Sequence, residues 1–252
     1  MRHRYSFRRH LRMFLRQAGN GIAILLHPCR IYAIQPYIIF RTRDNLLLFI
    51  RQVMIVPCDH SGIIMASDIV KKGGTVVFPT DTVYGIGCDP FNSKAVRTIY
   101  RIKGREESKQ LPVLGFSISE ISEIAIFDEL SKRFAVKFWP GPLTLILGIK
   151  EEKIAKSLGL AEKIAVRVPS HPCALKLLKE CKLLVGTSAN IAGQPSSADS
   201  HEIIKELEGY DILLDGGKIL NSVESTIIEV VGSKFRIIRE GKVSEKELLA
   251  LV

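Results

Sequence analysis

From Met54 onward, apolar and polar positions recur in periods that separate helices from strands. Residues 61–72 place Ile64, Met65 and Ile69 at helical spacing and run into Gly73-Gly74, a pair suited to a helix C-terminus. Residues 75–78 are β-branched or aromatic and stop at Pro79, which predicts a strand. A helix is expected over 93–102, with Val96, Ile99 and Tyr100 on one face. Residues 112–116 read as a short strand, and a helix begins at Ser119. Another helix, 128–138, must end at Trp139-Pro140-Gly141-Pro142, because proline lacks the amide donor a helix needs. Beyond it the pattern gives strands at 143–149 and 163–168, a helix at 173–181 and a buried strand at 183–185. A helix at 201–207, strands at 211–214, 225–231 and 234–238, and a closing helix from Ser244 complete the order.

Strands and helices alternate early, whereas the last strands are adjacent in sequence. That order predicts an α/β fold: a single-domain, twisted sheet of mixed direction flanked by helices over residues 54–252. No internal repeat, low-complexity tract or dividing linker interrupts it.

Charge is distributed unevenly. Residues 1–53 hold ten Arg, no Lys and a single acid, Asp44, whereas residues 54–252 carry 26 basic and 25 acidic side chains. The formal charge of +10 therefore belongs to the first segment, and the whole-chain pI is no argument for nucleic-acid binding, although a local cationic cleft remains open. Two accounts of residues 1–53 stand side by side: an organellar targeting leader, or an upstream start with the working chain beginning at Met54. The change from Arg-only to Lys-rich usage favours the second, and a cytoplasmic location follows from it. No apolar run before Met54 is long enough to span a bilayer. Five scattered cysteines, never in a C-x-x-C pair, indicate neither a disulfide framework nor a zinc site.

The usual nucleotide signatures are missing: there is no G-x-x-x-x-G-K-[ST], and Gly85-Ile86-Gly87 lacks the third glycine of a dinucleotide fingerprint. Serine-hydrolase and zincin motifs are absent as well. Four polar constellations lie at strand ends instead. Pro79-Thr80-Asp81-Thr82 is the first. Lys103-Gly104-Arg105, with Lys109 four residues on, is the second, and its cations suit phosphate or carboxylate. Gly186-Thr187-Ser188-Ala189-Asn190 is the third, with a helix cap or Asx turn as its plainer reading. Glu224-Ser225-Thr226, followed by Arg239 at the end of the next strand, is the fourth. Arg167 interrupts an otherwise apolar strand, so it needs a partner: a substrate carboxylate or a structural ion pair.

FPTDTVYGIG, KGREESKQLPVL, WPGPLTLIL, AVRVPSHPCAL, TSANIAGQPSS, VESTIIEV and IIREG occur in this order over residues 54–252. Together they resemble the YrdC/Sua5 family of threonylcarbamoyl-AMP synthases, in the short form that lacks the Sua5 C-terminal domain. The resemblance implies a YrdC-like fold with a cationic cleft. It also implies formation of threonylcarbamoyl-AMP and pyrophosphate from L-threonine, bicarbonate or CO₂, and ATP, for a partner transferase that modifies adenosine 37 of tRNA. Carried over motif by motif, Lys103 and Arg105 match the K-x-R pair with a catalytic, phosphate-neutralising role. Lys103, Arg105, Lys109, Ser188, Asn190 and Arg239 form the ATP set, and Thr82, Arg167, Ser188 and Ser225 the threonine set. Leu114 stands where longer relatives have a threonine-contacting histidine, and Ala198 where many have a hydroxyl. The resemblance implies Mg²⁺ held mainly by ATP phosphates, with no protein metal site. A non-catalytic module binding double-stranded RNA or tRNA is the alternative, and the near-neutral body argues against it.

Overall fold

The computed structural model describes residues 37–41, 47–51, 53–220 and 222–252. The chain falls into two units, Met1–Tyr37 and Ile38–Val252, and the second holds the whole of residues 54–252. The leader question raised by residues 1–53 lies almost wholly outside the described residues. Within that stretch, β1 (Tyr37–Arg41) and β2 (Leu47–Arg51) pair as a two-stranded sheet.

The mixed α/β order is as expected, but the strands divide between two sheets. One contains β3 (Met54–Pro57), β4 (Val76–Pro79), β5 (Tyr84–Gly87), β11 (Thr187–Ser188) and β12 (Ile212–Asp215), in the order β11-β5-β4-β12-β3. The other contains β6 (Val113–Gly115), β7 (Ala125–Ile126), β8 (Leu143–Ile149), β9 (Lys163–Arg167), β10 (Leu183–Val185), β13 (Thr226–Val231) and β14 (Lys234–Arg239). Its order is β10-β6-β9-β8-β13-β14, with β7 beside β8. Both sheets mix parallel and antiparallel pairs.

The helices are α1 (His60–Lys71), α2 (Ser93–Lys103), α3 (Ile118–Ile124), α4 (Glu129–Phe138), α5 (Glu152–Leu158), α6 (Pro172–Cys181), α7 (Ser200–Glu206) and α8 (Glu245–Leu249). Expected helix starts at Ser61, Ser93, Asp128 and Ser244 fall within a residue of the observed ones, because each helix is opened by a capping side chain. Asp59, Asn92, Asp128 and Ser244 accept hydrogen bonds from the free amides of the first turn. Among the described residues, no helix is long and apolar enough to cross a membrane.

A large core cluster joins the sheets through Val77 and Ile86 on one side and Val113, Leu145 and Val166 on the other. A second cluster lies under α1 and α6 and includes Phe78, Leu114, Leu177 and Leu184. At its margin Cys58 and Cys173 form a disulfide that joins the end of β3 to the first turn of α6. The expectation of unpaired cysteines is thereby corrected: the two are 115 residues apart, and no local spacing reveals that the fold brings their Cα atoms to 5.7 Å. Cys88 and Cys181 are free, and burial pushes the Cys181 thiol up to about 11.

Candidate functional site

Strand register gathers the candidate residues. In the larger sheet, Val166 of β9 pairs with Leu145 of β8, Thr226 of β13 with Leu143 of β8, and Arg239 of β14 with Ile227 of β13. The end of β9, the starts of β8 and β13 and the end of β14 therefore lie at one end of that sheet. This places Thr144, Arg167, Ser225 and Arg239 together. In the smaller sheet Pro79 pairs with Tyr84 and Ser188 with Gly85, so the Thr80–Val83 turn and the 188–190 segment share an end.

Arg167 joins the two ends. Its Nε donates to Gly141 O at 2.9 Å, one terminal nitrogen to Thr82 Oγ1 at 3.1 Å, and the other to Asp81 Oδ1 at 2.7 Å. The structural ion pair left open by the sequence is thus present, with both side chains nearly enclosed, at 7 % and 12 % exposure. Burial lowers the Arg167 pKa, the Asp81 carboxylate opposes that, and nearby Arg239 adds to it. Three of the five guanidinium N–H groups are engaged, which leaves two for a ligand. Asp81 Oδ1 also accepts from the Ser170 amide at 2.9 Å.

The phosphate-type cation is equally enclosed. Lys103 ends α2, where Gly104 in the left-handed conformation turns the chain away. Its Nζ donates to Ser188 O, to Asn190 O at 2.8 Å and to Asn190 Oδ1 at 3.1 Å. The K-x-R and S-x-N motifs, 85 residues apart, therefore meet directly. Burial draws the Lys103 pKa down to about 8, nearby Arg105 adds to the depression, and the Glu224 carboxylate opposes it. Asn190 is fixed from its other side by donating to Ile191 O and Gln194 O.

Arg105 is turned toward its own loop, donating to Lys109 O and Gln110 O, both at 3.1 Å. Lys109 is exposed beyond that loop. Arg239 donates to Ser225 O at 2.8 Å, to Ser225 Oγ at 3.2 Å and to the Glu224 carboxylate. Ser225 Oγ lies 3.0 Å from Thr144 Oγ1. Ser188 is half-buried. Leu114 is buried and pairs with Arg167 across β6 and β9. A Cβ at Gly186 would lie 2.3 Å from the Leu114 side chain, so the two positions are sterically coupled.

Sequence reasoning assigned no role to several residues here. Asp81 and Glu224 are the carboxylates that pair Arg167 and Arg239, and Ser196 Oγ donates to Glu224 at 2.5 Å. Lys242 Nζ reaches Asp81 O at 3.3 Å. Asp81 and Glu224 both stand inside the polar constellations at strand ends, but their cationic partners lie 86 and 15 residues away.

The Sua5/YciO/YrdC family profile, described as telomere recombination, matches residues 68–241. A threonylcarbamoyl-AMP synthase of Bacillus subtilis is 34% identical over 195 residues, 75% of this chain and 56% of its own. One from Pyrococcus abyssi is 33% identical over 187 residues, 73% and 55% of the respective chains. The chain thus spans little more than half the length of these two relatives. The crystal structure of P. abyssi Sua5 complexed with L-threonine superposes with a TM-score of 0.72 at 31% identity, covering 79% of this chain and 59% of that one. Escherichia coli YciO superposes with a TM-score of 0.71 at 28% identity, covering 78% of this chain and 98% of that one. With its motifs brought to one site and both sequence and fold matched across most of its length, this chain belongs to the Sua5/YciO/YrdC family.

Proposed function

We propose that the protein is a threonylcarbamoyl-AMP synthase, joining L-threonine, bicarbonate or CO₂, and ATP into threonylcarbamoyl-AMP with release of pyrophosphate. The observation that carries the reading is the direct contact of Lys103 with Ser188 and Asn190, which unites the two motifs assigned to ATP. Relatives bearing this enzyme name, and a relative complexed with L-threonine, support it.

In this reading Arg167 receives the threonine carboxylate on its two remaining N–H groups, with Thr82, Ser188 and Ser225 lining the same ligand. The threonine amine, once deprotonated, adds to the carbon of CO₂ with release of a proton to solvent, or to that of bicarbonate with loss of water, to give a carbamate. A carbamate oxygen then attacks the α-phosphorus of ATP, and the bond to the bridging oxygen breaks to release pyrophosphate. No protein nucleophile is needed. Proximity and cationic stabilisation carry the rate: Lys103, Arg105, Lys109 and Arg239 offset phosphate charge, and Asn190 orients the nucleotide.

Among the described residues no group of three or more His, Cys, Asp or Glu side chains is placed to hold a metal. Asp81 and Glu224 are each spent on an arginine. This donor set fits Mg²⁺ held by the phosphates rather than by a protein cage, and when bound the ion offsets phosphate charge. The product would pass to a transferase that modifies tRNA, in a cytoplasmic setting.

The test is pyrophosphate release by the full chain with ATP, L-threonine and bicarbonate, each omitted in turn. Release must require all three. Lys103→Ala and Arg105→Ala should each reduce it by roughly a hundredfold or more with the fold intact. Undiminished release in both variants rejects the assignment. Tight, strongly salt-dependent tRNA binding without pyrophosphate release favours the RNA-binding module instead.

A further inference from the structure

We propose that Asp81 is a specificity-determining residue that, paired with Arg167, restricts the site to the zwitterionic head of an α-amino acid and rejects carboxylates that lack an amine. The inference rests on the threonine-binding reading of the site and adds a residue to which that reading assigns no contact with substrate.

A buried arginine alone would accept any small carboxylate. Arg167 is not alone: Asp81 Oδ1 holds one of its terminal nitrogens at 2.7 Å, so its charge is offset before a ligand arrives. A bare carboxylate entering here gains attraction from Arg167 and loses part of it to repulsion from Asp81. An amino acid does not suffer that loss, because its ammonium is adjacent to its carboxylate and faces the aspartate while the carboxylate faces the guanidinium. The pair thus presents one charge of each sign to a ligand carrying one charge of each sign.

The bonding of Asp81 supports a second, cationic partner. Oδ1 accepts from both Arg167 and the Ser170 amide, whereas Oδ2 is enclosed and has no hydrogen-bond partner. An ionised carboxylate oxygen without a partner in a buried setting is costly, and a donor from a ligand removes the cost. The Asp81 side chain as a whole retains 12 % exposure, so it is not sealed off from the site, although Oδ2 itself is enclosed. The positive groups nearby are directed elsewhere: Lys242 Nζ bonds the Asp81 backbone oxygen, and Arg239 bonds Ser225 and Glu224. His171 Nδ1 accepts from the Cys173 amide.

Calorimetry on the full chain tests the proposal with two probes, L-threonine and (R)-3-hydroxybutyrate, which is threonine without its amine. Wild type should bind threonine at least about a hundredfold more tightly, as expected of a site built around a polar group that the analogue lacks. Asp81→Asn keeps an oxygen for Arg167 and Ser170 but removes the negative charge. It should weaken threonine and strengthen the hydroxy acid, so that the ratio falls below about tenfold. Equal weakening of both ligands in Asp81→Asn indicates a merely structural role and overturns the proposal. If that variant does not fold, the wild-type ratio alone decides: near-equal binding of the two probes overturns the inference while leaving the threonine site intact. Wild type that fails to bind L-threonine overturns the threonine reading and the inference together.

Discussion

Lys103 is an ammonium enclosed by three oxygen acceptors, yet with a pKa of only about 8. Its sign matters in two ways. The charged form is needed to meet phosphate, so ATP binding should weaken as pH rises through about 8, read as a rise in the KM for ATP. In the absence of ligand the folded protein releases this proton near pH 8, whereas the unfolded chain keeps it to about 10.5. Between those values the unfolded state binds more protons, so the Lys103 contribution to stability rises with pH across that window. Arg167 and Asp81 form a nearly enclosed ion pair in which each offsets the charge of the other. Asp81→Ala would leave a buried guanidinium uncompensated and should cost about 3–5 kcal/mol, measured by denaturant unfolding. Arg167 was legible as an anomaly in an apolar strand; its partner was not, since Asp81 stands 86 positions away and nothing local ties the two.

Helices were the most legible elements, because caps and helical spacing are properties of neighbouring residues. Short strands were legible where an apolar run marks them, as in β4, β6, β10 and β12, whereas β3, β5, β7 and β11 were not assigned. Residues 84–87, to which the sequence pattern assigns no element, form β5, and Gly87 explains both the weak signal and the outcome. A Cβ there would lie 2.2 Å from Val185 O, so β5 can approach β10 only with glycine at that point. Strand β11 and helix α5 were missed because each is short and gains its order from packing. Gly241 acts similarly at the candidate site. The segment after β14 crosses the start of β13 so closely that a Cβ would lie 2.3 Å from Glu224 O and 2.5 Å from the Ser225 carbonyl carbon. Gly241→Ala should therefore cost roughly 1–3 kcal/mol. It should also reduce pyrophosphate release by displacing Ser225 and Arg239, with unfolding midpoint and activity falling together.

At the level of the whole molecule, the Cys58–Cys173 bond closes a long loop between the end of β3 and α6. By the loop-entropy account, Cys58→Ser with Cys173→Ser, or reduction by dithiothreitol, should lower stability by about 2–5 kcal/mol. A denaturation midpoint insensitive to reductant, with alkylation confirming the free thiols, would discount the bond. The order of elements, the mixed α/β class, the separation of the basic first segment from a near-neutral body and the family motifs all follow from residues that are neighbours in sequence. Division of the strands into two sheets, the pairing of cysteines and the meeting of Lys103 with Asn190 and of Arg167 with Asp81 were decided by tertiary structure. The physical reason is range: periodicity, capping and turn chemistry act over a few residues. Which strand ends face each other is set instead by burying one common core across both sheets, and that burial turns four separate polar motifs into one candidate site.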